Sequence, residues 1–372
     1  MKYIKGLDTL RAFAVIIVII NHWGPHGFKS ELATSIFTKI MPDGLFGVDL
    51  FFVLSGYLIT RILLSARDEA SPDKGWHIIK NFYARRMLRI FPIYFLLVFI
   101  LAYLFNDGYI KNFILYFVTY TSNFLTFKEK AWLDFSHSWS LAVEEQFYLL
   151  WPWLIIYLPK KYLFSFILAA IGFGIASSII LNYLCGSYFY VLLLPCITAF
   201  AIGAVYAYVE LNPLHQNVIV KIFRLLLPVC IVLLGLQQFG HKLFLIRAVY
   251  SVISINIIIY VTKQKYSRVT GFILNNKFLI NVGKVSYGIY LYHYVLPRYY
   301  YQLLNYIQLK AHLGARTLKI LSNPPPAYFI QLLILAVIAI LSYKYIEVPF
   351  LKLKKYFKYS SKKSVAPQPA AL

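Results

Sequence analysis

Apolar runs about as long as a lipid bilayer is thick follow one another along most of this chain. Ten of them approach the roughly 20 residues that a membrane-spanning helix needs, and they lie near 7–23, 44–64, 88–106, 139–158, 162–184, 188–209, 219–239, 244–262, 285–304 and 327–348. Apolar residues make up 60% of the chain and charged residues only 14%, which excludes a soluble protein built on a single core. The sequence therefore predicts an all-α, polytopic integral membrane protein.

Residues 112–127 form a further apolar run, which is short and lies between Lys111 and Lys128. A run of this length is more often re-entrant or interfacial than spanning. If ten runs cross and the N-terminus is inside, the inner loops and tails hold 25 Lys and Arg residues and the outer loops hold 11. Because Lys and Arg collect in cytoplasmic loops, we expect ten spans, with both termini cytoplasmic and 112–127 not crossing.

The net charge of +23 does not indicate a nucleic-acid-binding protein, because the positive residues lie between the apolar runs, where topology signals are expected. A basic cytoplasmic face instead favours an anionic cofactor or anionic membrane lipids. The three cysteines have no CxxC pairing and no metal-ligand spacing, so we expect neither a disulfide framework nor a metal site. We divide the chain into a transmembrane domain at 1–351 and a basic tail at 352–372, which we expect to be disordered toward its end.

The first span carries two ionisable residues on one face. Arg11 and His22 are 11 residues apart, which is about three turns of a helix. Ionisable groups at membrane depth are costly and commonly mark function, so both are candidate catalytic residues. The alternative is that Arg11 belongs to a basic N-terminus that sets topology and that His22 is an interfacial helix end.

The second span contains Asp49, an ionisable residue inside an apolar run, followed by Ser55 and Gly56. Gly56 lies on the same helix face as Asp49 and allows another helix to approach closely. Asp49 and Ser55 are candidate site residues. The alternative is that Asp49 pairs with a basic group to lock two helices together and that Ser55 and Gly56 form a packing notch.

An arginine cluster precedes the third span. Arg86 and Arg89 are three residues apart and therefore neighbours on one helix face, and Arg85 adjoins them. The planar fork of arginine suits phosphate oxygens, so the cluster could bind an anionic cofactor. The alternative is a topology anchor that needs no ligand.

Residues 136–152, SHSWSLAVEEQFYLLWP, are unusually polar for the start of a membrane helix. Adjacent side chains on a helix point about 100° apart, so Glu144 and Glu145 are unlikely to face one pocket, whereas Glu144 shares a face with Tyr148. Such a stretch is poor packing surface and good lining for a polar cavity.

Span nine adds Ser286 and His293, seven residues apart on one face. A lone histidine in an aromatic helix is more often a packing residue than a site residue.

Four of these stretches, taken together and in order, resemble the integral membrane acyltransferase family 3, the bacterial group that O-acylates glycans. They are Arg11 with His22, the segment GVDLFFVLSGYLI, Arg86 with Arg89 before IFP, and SWSLAVEEQFYLLWP. The resemblance implies ten spans, a cytosolic acyl-CoA donor, for which we take acetyl-CoA, and an acceptor at the outer face. It also implies that His22 is catalytic, that Arg11 is essential, and that Arg86 and Arg89 lie near the donor.

Some members of that family carry a hydrolase-like domain after the last helix. The sequence shows none, so we expect the loops to recognise the acceptor. The resemblance places the protein in a bacterial cytoplasmic (inner) membrane, with a cell-surface or lipid-linked glycan as its partner.

Acyl transfer to a hydroxyl needs a base, and histidine is the natural one near neutral pH. His22 could instead carry the acyl group covalently. We expect Glu144 to orient His22, as a carboxylate fixes an imidazole tautomer, and Arg11 to contact the donor or to pair with Asp8. The rival function is a transporter or flippase for a lipid-linked glycan, which lacks support from an inverted repeat.

Overall fold

The computed structural model describes residues 3–24, 43–69, 74–238, 245–311, 315–323 and 326–359. Within these ranges the chain is almost entirely helical and contains no strand. The α-helices in chain order are α1 Lys5–Trp23, α2 Gly44–Glu69, α3 Gly75–Phe99, α4 Gly108–Asn112, α5 Ile114–Val118, α6 Ser122–Glu129, α7 Ser138–Tyr157, α8 Lys160–Cys185, α9 Leu193–Leu211, α10 Gln216–Gln238, α11 Ile246–Lys263, α12 Arg268–Leu274, α13 Lys277–Lys284, α14 Ser286–His293, α15 Leu296–Ala311, α16 Ala315–Ser322, α17 Pro326–Ser342 and α18 Val348–Lys352. The π-helical turn Ile100–Leu104 follows α3, and a second one, Tyr343–Glu347, joins α17 to α18.

Eight helices in the described part of the chain are long and apolar enough to cross a membrane: α1, α2, α3, α8, α9, α10, α11 and α17. The predicted all-α, multi-pass class is therefore confirmed. The two other predicted spans fall on α7 and on the pair α14 and α15. Helix α7 is 20 residues long but contains two glutamates, and span nine is interrupted after His293, so that neither forms a long, fully apolar helix.

Residues 112–127 do not form one continuous helix. They divide between α5 and α6, which have 5 and 8 residues. Tyr120, in the break between them, has a positive φ of 53°. Both pieces are shorter than a bilayer crossing requires. The third span also differs from its prediction, because α3 begins at Gly75 and continues through Pro92. The apolar run marks only the later part of this helix.

Helix α2 lies at the centre of the molecule and packs closely against α9. A Cβ atom at Gly56 would overlap the carbonyl oxygen of Phe200, and one at Gly203 would overlap that of Val53. The two glycines therefore allow the two backbones to touch. This contact supports the predicted packing notch at Gly56 and shows that its counterpart is Gly203 on α9.

Helix α1 packs against α2, α13 and α14. The same kind of close approach recurs there, because a Cβ at Gly283 would overlap the carbonyl oxygen of Asp8. Thr9 also donates a hydrogen bond of 2.9 Å to the carbonyl oxygen of Leu274. These contacts hold α1 between the second span and the broken ninth span, with Arg11 and His22 facing the interior elements described next.

Candidate functional site: two adjoining cavities

Several residues singled out in the sequence line one cavity between α1, α2, α3, α7 and α14, which we call the arginine cavity. Its volume is about 90 Å³ without the open mouth and about 830 Å³ with it. Its charged and polar lining consists of Arg11, Ser55, Arg86, Arg89, Ser140, Glu144, Glu145, Tyr148, Ser286, Tyr287 and Tyr290. The fold thus brings together residues that are up to 279 positions apart (Arg11 and Tyr290). Two of the arginines are those expected to bind a donor.

Arg86 and Arg11 are held at this cavity by different contacts. The Arg86 guanidinium lies 5.5 Å from the ring centre of Phe82 and 5.2 Å from that of Tyr148, within the range of a cation–π interaction. Arg11 forms an ion pair of 2.5 Å with Asp8, which is the i−3 partner that the sequence offered, and still lines the cavity. The cavity therefore carries a concentration of guanidinium groups suited to an anionic ligand.

Arg85 makes its contacts elsewhere, although the sequence grouped it with the other two arginines. It donates hydrogen bonds of 3.0 and 3.1 Å to the carbonyl oxygens of Lys354 and Phe357, and its guanidinium lies 5.3 Å from the ring centre of Tyr359. Consecutive residues on a helix point in different directions. Arg85 therefore fixes the segment 353–359 against α3, and the rest of the predicted tail lies outside the described residues.

Glu144 is bonded within the arginine cavity. Its Oε1 accepts a hydrogen bond of 2.9 Å from the Ser55 hydroxyl, which also lies 3.3 Å from the Tyr148 hydroxyl. The neighbouring Glu145 lines the same cavity, so the expectation that the two glutamates would not share a pocket was wrong. Its buried Oε1 has no hydrogen-bond partner in the described part of the chain. Glu144 thus links α7 to α2, whereas the sequence interpretation placed it beside His22.

His22 lines a second cavity, which we call the histidine cavity. It has about 920 Å³ of space, counting its open mouth, and is lined by Val18, Asn21, His22, Asp43, Gly44, Leu45, Val48, Trp132, Trp139, Tyr190, Tyr290 and Tyr294. Asp43 precedes α2, and burial raises the pKa of its carboxyl above the usual range, opposed by a hydrogen bond from the Leu45 amide and by the positive charge of Arg247. Five large aromatic side chains and one acid therefore line the cavity with the imidazole.

The hydrogen-bond partner of His22 is His293. Nδ1 of His293 lies 2.5 Å from the carbonyl oxygen of Tyr290, so Nδ1 must carry the proton and donate it. In a neutral ring Nε2 of His293 is then an acceptor, and it lies 2.8 Å from Nδ1 of His22. The His22 Nδ1 therefore donates, which leaves its Nε2 unprotonated and able to accept a proton.

The two cavities adjoin at Val48 and Tyr290, which line both of them. The Tyr290 hydroxyl lies 2.6 Å from the Ser140 hydroxyl and donates a hydrogen bond of 3.2 Å to the His137 carbonyl oxygen. Tyr290 is therefore held firmly between α14 and the start of α7. Among the described residues, this shared wall is where a molecule in one cavity comes close to a molecule in the other.

Asp49 lies apart from this chemistry. It is fully buried and forms an ion pair with Arg247 of α11, as the locking alternative expected. The Arg247 guanidinium also lies 5.4 Å from the ring centre of Trp139. Because an uncompensated buried charge is strongly unfavourable, this pair fixes α2 to α11 behind one wall of the histidine cavity.

His137 was missed by the sequence interpretation. Its Nε2 donates a hydrogen bond of 3.1 Å to the Leu291 carbonyl oxygen, and its ring centre lies 5.2 Å from that of His293. The signal was present in the polar segment 136–152, but nothing in it pointed to span nine. Within the described ranges no group of three or more His, Cys, Asp and Glu side chains is arranged to hold a metal ion.

These features define a helical membrane protein with two adjoining internal cavities, one rich in arginine and one containing a histidine pair. A family model described as an acyltransferase domain matches residues 4–344, so the chain belongs to this acyltransferase family. Two relatives from Staphylococcus aureus (strains NCTC 8325 / PS 47 and COL), both named O-acetyltransferase OatA, are 30% identical to it over 387 residues. Each match covers 94% of this chain and 58% of the relative, so the chain spans little more than half the length of those proteins. No solved structure matches the chain.

Proposed function

We propose that this chain is a membrane O-acyltransferase that moves an acetyl group from acetyl-CoA to a hydroxyl of a cell-surface or lipid-linked glycan. The observation that carries the proposal is the meeting of the arginine cavity and the histidine cavity at Tyr290 and Val48. Family membership and the names of the relatives support the reaction class. The bacterial cytoplasmic membrane is the location that fits a cytosolic donor and an external acceptor.

The donor is proposed to occupy the arginine cavity. A CoA ester is polyanionic, and Arg86 and Arg89 offer guanidinium forks to its phosphates. Arg11 lines the same cavity but is already paired with Asp8. We therefore assign it to the pantetheine arm of the donor and not to the phosphates. The thioester would then reach toward Tyr290, where the second cavity begins.

The base is proposed to be His22 Nε2. The acceptor hydroxyl gives its proton to this nitrogen while its oxygen bonds to the thioester carbonyl carbon. The carbon–sulfur bond then breaks, the acetyl ester stays on the acceptor, and the CoA thiolate takes up the proton. In the alternative that the acyl group first bonds to His22, the same nitrogen is the nucleophile. His293 positions the ring in either route, because its acceptor nitrogen fixes the tautomer of His22.

The test is acetyl transfer by the purified protein in liposomes that contain a lipid-linked glycan, with acetyl-CoA labelled in the acetyl group. We expect label in the glycan, and release of free CoA in equal amount. Movement of the glycolipid across the bilayer without label in it would instead identify the rival transporter. Label in neither product, with no glycolipid movement, would contradict both functions.

A further inference from the structure

We infer that the aromatic side of the histidine cavity is a sugar-binding subsite, in which Trp132 and Tyr190 stack on an uncharged sugar ring while Asp43 accepts hydrogen bonds from its hydroxyls. This inference rests on the proposed acyl transfer and adds the acceptor class and the residues that select it. The cavity volume without the open mouth, about 400 Å³, falls in the range of ~300–1,000 Å³ that is usual for ligand sites.

The aromatic residues form a connected surface. The Trp132 ring centre lies 5.7 Å from that of Tyr188 and 6.5 Å from that of Tyr190, and the two tyrosine rings are nearly parallel at 6.2 Å. Trp132 keeps 44% of its surface exposed, which is a large apolar area for a residue that lines a cavity. Rings that present a flat apolar face and a polar edge suit a sugar, whose ring carries C–H groups on its faces and hydroxyls around it.

The backbone of Tyr188, which contacts this aromatic surface, is in a strained conformation. Tyr188 has a φ of 66°. This left-handed conformation is uncommon for any residue other than glycine, and especially for a bulky one. Such a residue persists where its surroundings hold it in place. Here the surroundings are the rings of Trp132 and Tyr190, so the strained residue supports the position of the aromatic surface.

Asp43 is the residue that would select between neutral and negatively charged sugars. It lines the same cavity as His22 and Trp132, and no Lys or Arg is among the described residues that line it. Arg247, whose positive charge acts on Asp43, lies outside that lining and is paired with Asp49. A carboxylate in the wall accepts hydrogen bonds from hydroxyls and repels another carboxylate. The cavity therefore fits a neutral sugar and disfavours a uronic acid.

An aromatic belt at the membrane surface would have a similar composition. Belt residues face lipid and headgroups, however, whereas Trp139 is only 3% exposed and lines the cavity beside the catalytic imidazole. Trp153 of α7 is a belt-like residue by comparison. It is 41% exposed and stacks on Tyr157 with ring centres 5.8 Å apart, and it provides a matched control.

The first experiment measures acetyl transfer to methyl β-glucoside by the purified full chain, with labelled acetyl-CoA. Trp132→Ala should raise KM for the glucoside about tenfold, with kcat and the KM for acetyl-CoA within twofold of the original values. Trp132→Phe should restore most of the loss, and Trp153→Ala should change nothing. An equal KM in Trp132→Ala and Trp153→Ala would overturn the subsite.

The second experiment tests the charge. Asp43→Asn should raise KM for methyl β-glucoside about tenfold or more, because a hydrogen bond to a charged acceptor is lost. The same variant should lower KM for methyl β-glucuronoside, because a repelling charge is gone. If the glucuronoside is used equally well by the original chain and the variant, Asp43 does not select the acceptor and the inference is wrong.

If the original chain transfers no acetyl group to either probe, binding still decides the inference separately from the reaction. Tryptophan fluorescence is then titrated with methyl β-glucoside in the absence of acetyl-CoA. A saturable change that disappears in Trp132→Ala and persists in Trp153→Ala supports the subsite. The lack of any saturable change in the original chain overturns it.

Discussion

At the scale of single residues, the histidine pair shows what sequence can and cannot supply. His22 and His293 were each recognised on a helix face, and they are 271 positions apart. Helical periodicity gives the face of a residue but not the helix that it meets. The sequence interpretation therefore assigned Glu144 to His22, whereas the structure pairs His22 with His293 and Glu144 with Ser55.

We predict that His22→Ala lowers kcat for acetyl transfer by about 10²–10⁴-fold, because a positioned base is removed. His293→Ala should lower kcat less, because His22 keeps its reacting nitrogen and loses only the partner of Nδ1. Steady-state kinetics at saturating acetyl-CoA measure both effects. His215→Ala, in an exposed 3₁₀ turn, is the control. A kcat of His22→Ala close to that of the wild-type chain would place the chemistry on another residue.

The arginine cluster gives a second prediction, in which Arg85 is the control for Arg86 and Arg89. Arg86→Ala and Arg89→Ala should each raise the Kd for CoA about tenfold or more, because a charged hydrogen bond to phosphate is lost. Arg89→Lys should weaken binding less. Arg85→Ala should leave it unchanged, because that side chain contacts segment 353–359. Isothermal titration with CoA measures these constants, and equal values for all variants would reduce the cluster to a topology anchor.

At the scale of helices, the sequence placed most boundaries within a few residues. The span predicted at 139–158 is α7, Ser138–Tyr157. The sequence did not predict that span nine breaks after His293, or that α17 continues into a π-helical turn at Tyr343–Glu347. Both are changes of local geometry inside apolar runs, and hydrophobicity along the sequence is insensitive to them. The break matters for the site because it ends α14 at the residue that contacts His22.

The crossing of α2 and α9 carries the prediction on stability. Gly56→Ala should lower the free energy of unfolding by about 1–3 kcal/mol, because the added methyl overlaps the backbone of Phe200 and the helices must separate. Gly172→Ala is the matched control, since a Cβ there meets nothing within 4 Å. Thermal unfolding in detergent compares the two. Equal midpoints for the two variants would show that the crossing tolerates extra volume.

At the scale of the whole molecule, we predict the orientation in the membrane from charge asymmetry alone. Ten spans place Cys185 outside and Lys265 inside. Cys185 is the native cysteine that is only partly buried, whereas Cys196 and Cys230 are buried. An impermeant maleimide added to intact cells should therefore label the original chain at Cys185. In a Cys185→Ser background, Lys265→Cys should stay unlabelled until the cells are permeabilised. Labelling of Lys265→Cys in intact cells would contradict the ten-span arrangement.

For the proposed acyl transfer, the wall at Tyr290 has a consequence for how the rate responds to the electrical potential of the membrane. An acetyl group that leaves a thiolate on one side and joins an alkoxide on the other moves as one positive charge outward. A proton that passes inward from the acceptor hydroxyl to the CoA sulfur compensates it, and turnover is then electroneutral. If the proton were released outside, each turnover would work against an inside-negative potential at ~2.3 kcal/mol per 100 mV. Because the proposed mechanism returns the proton from His22 Nε2 to the CoA sulfur, where the two cavities adjoin at Tyr290, we expect the inward path and a rate in liposomes that an imposed potassium diffusion potential does not alter.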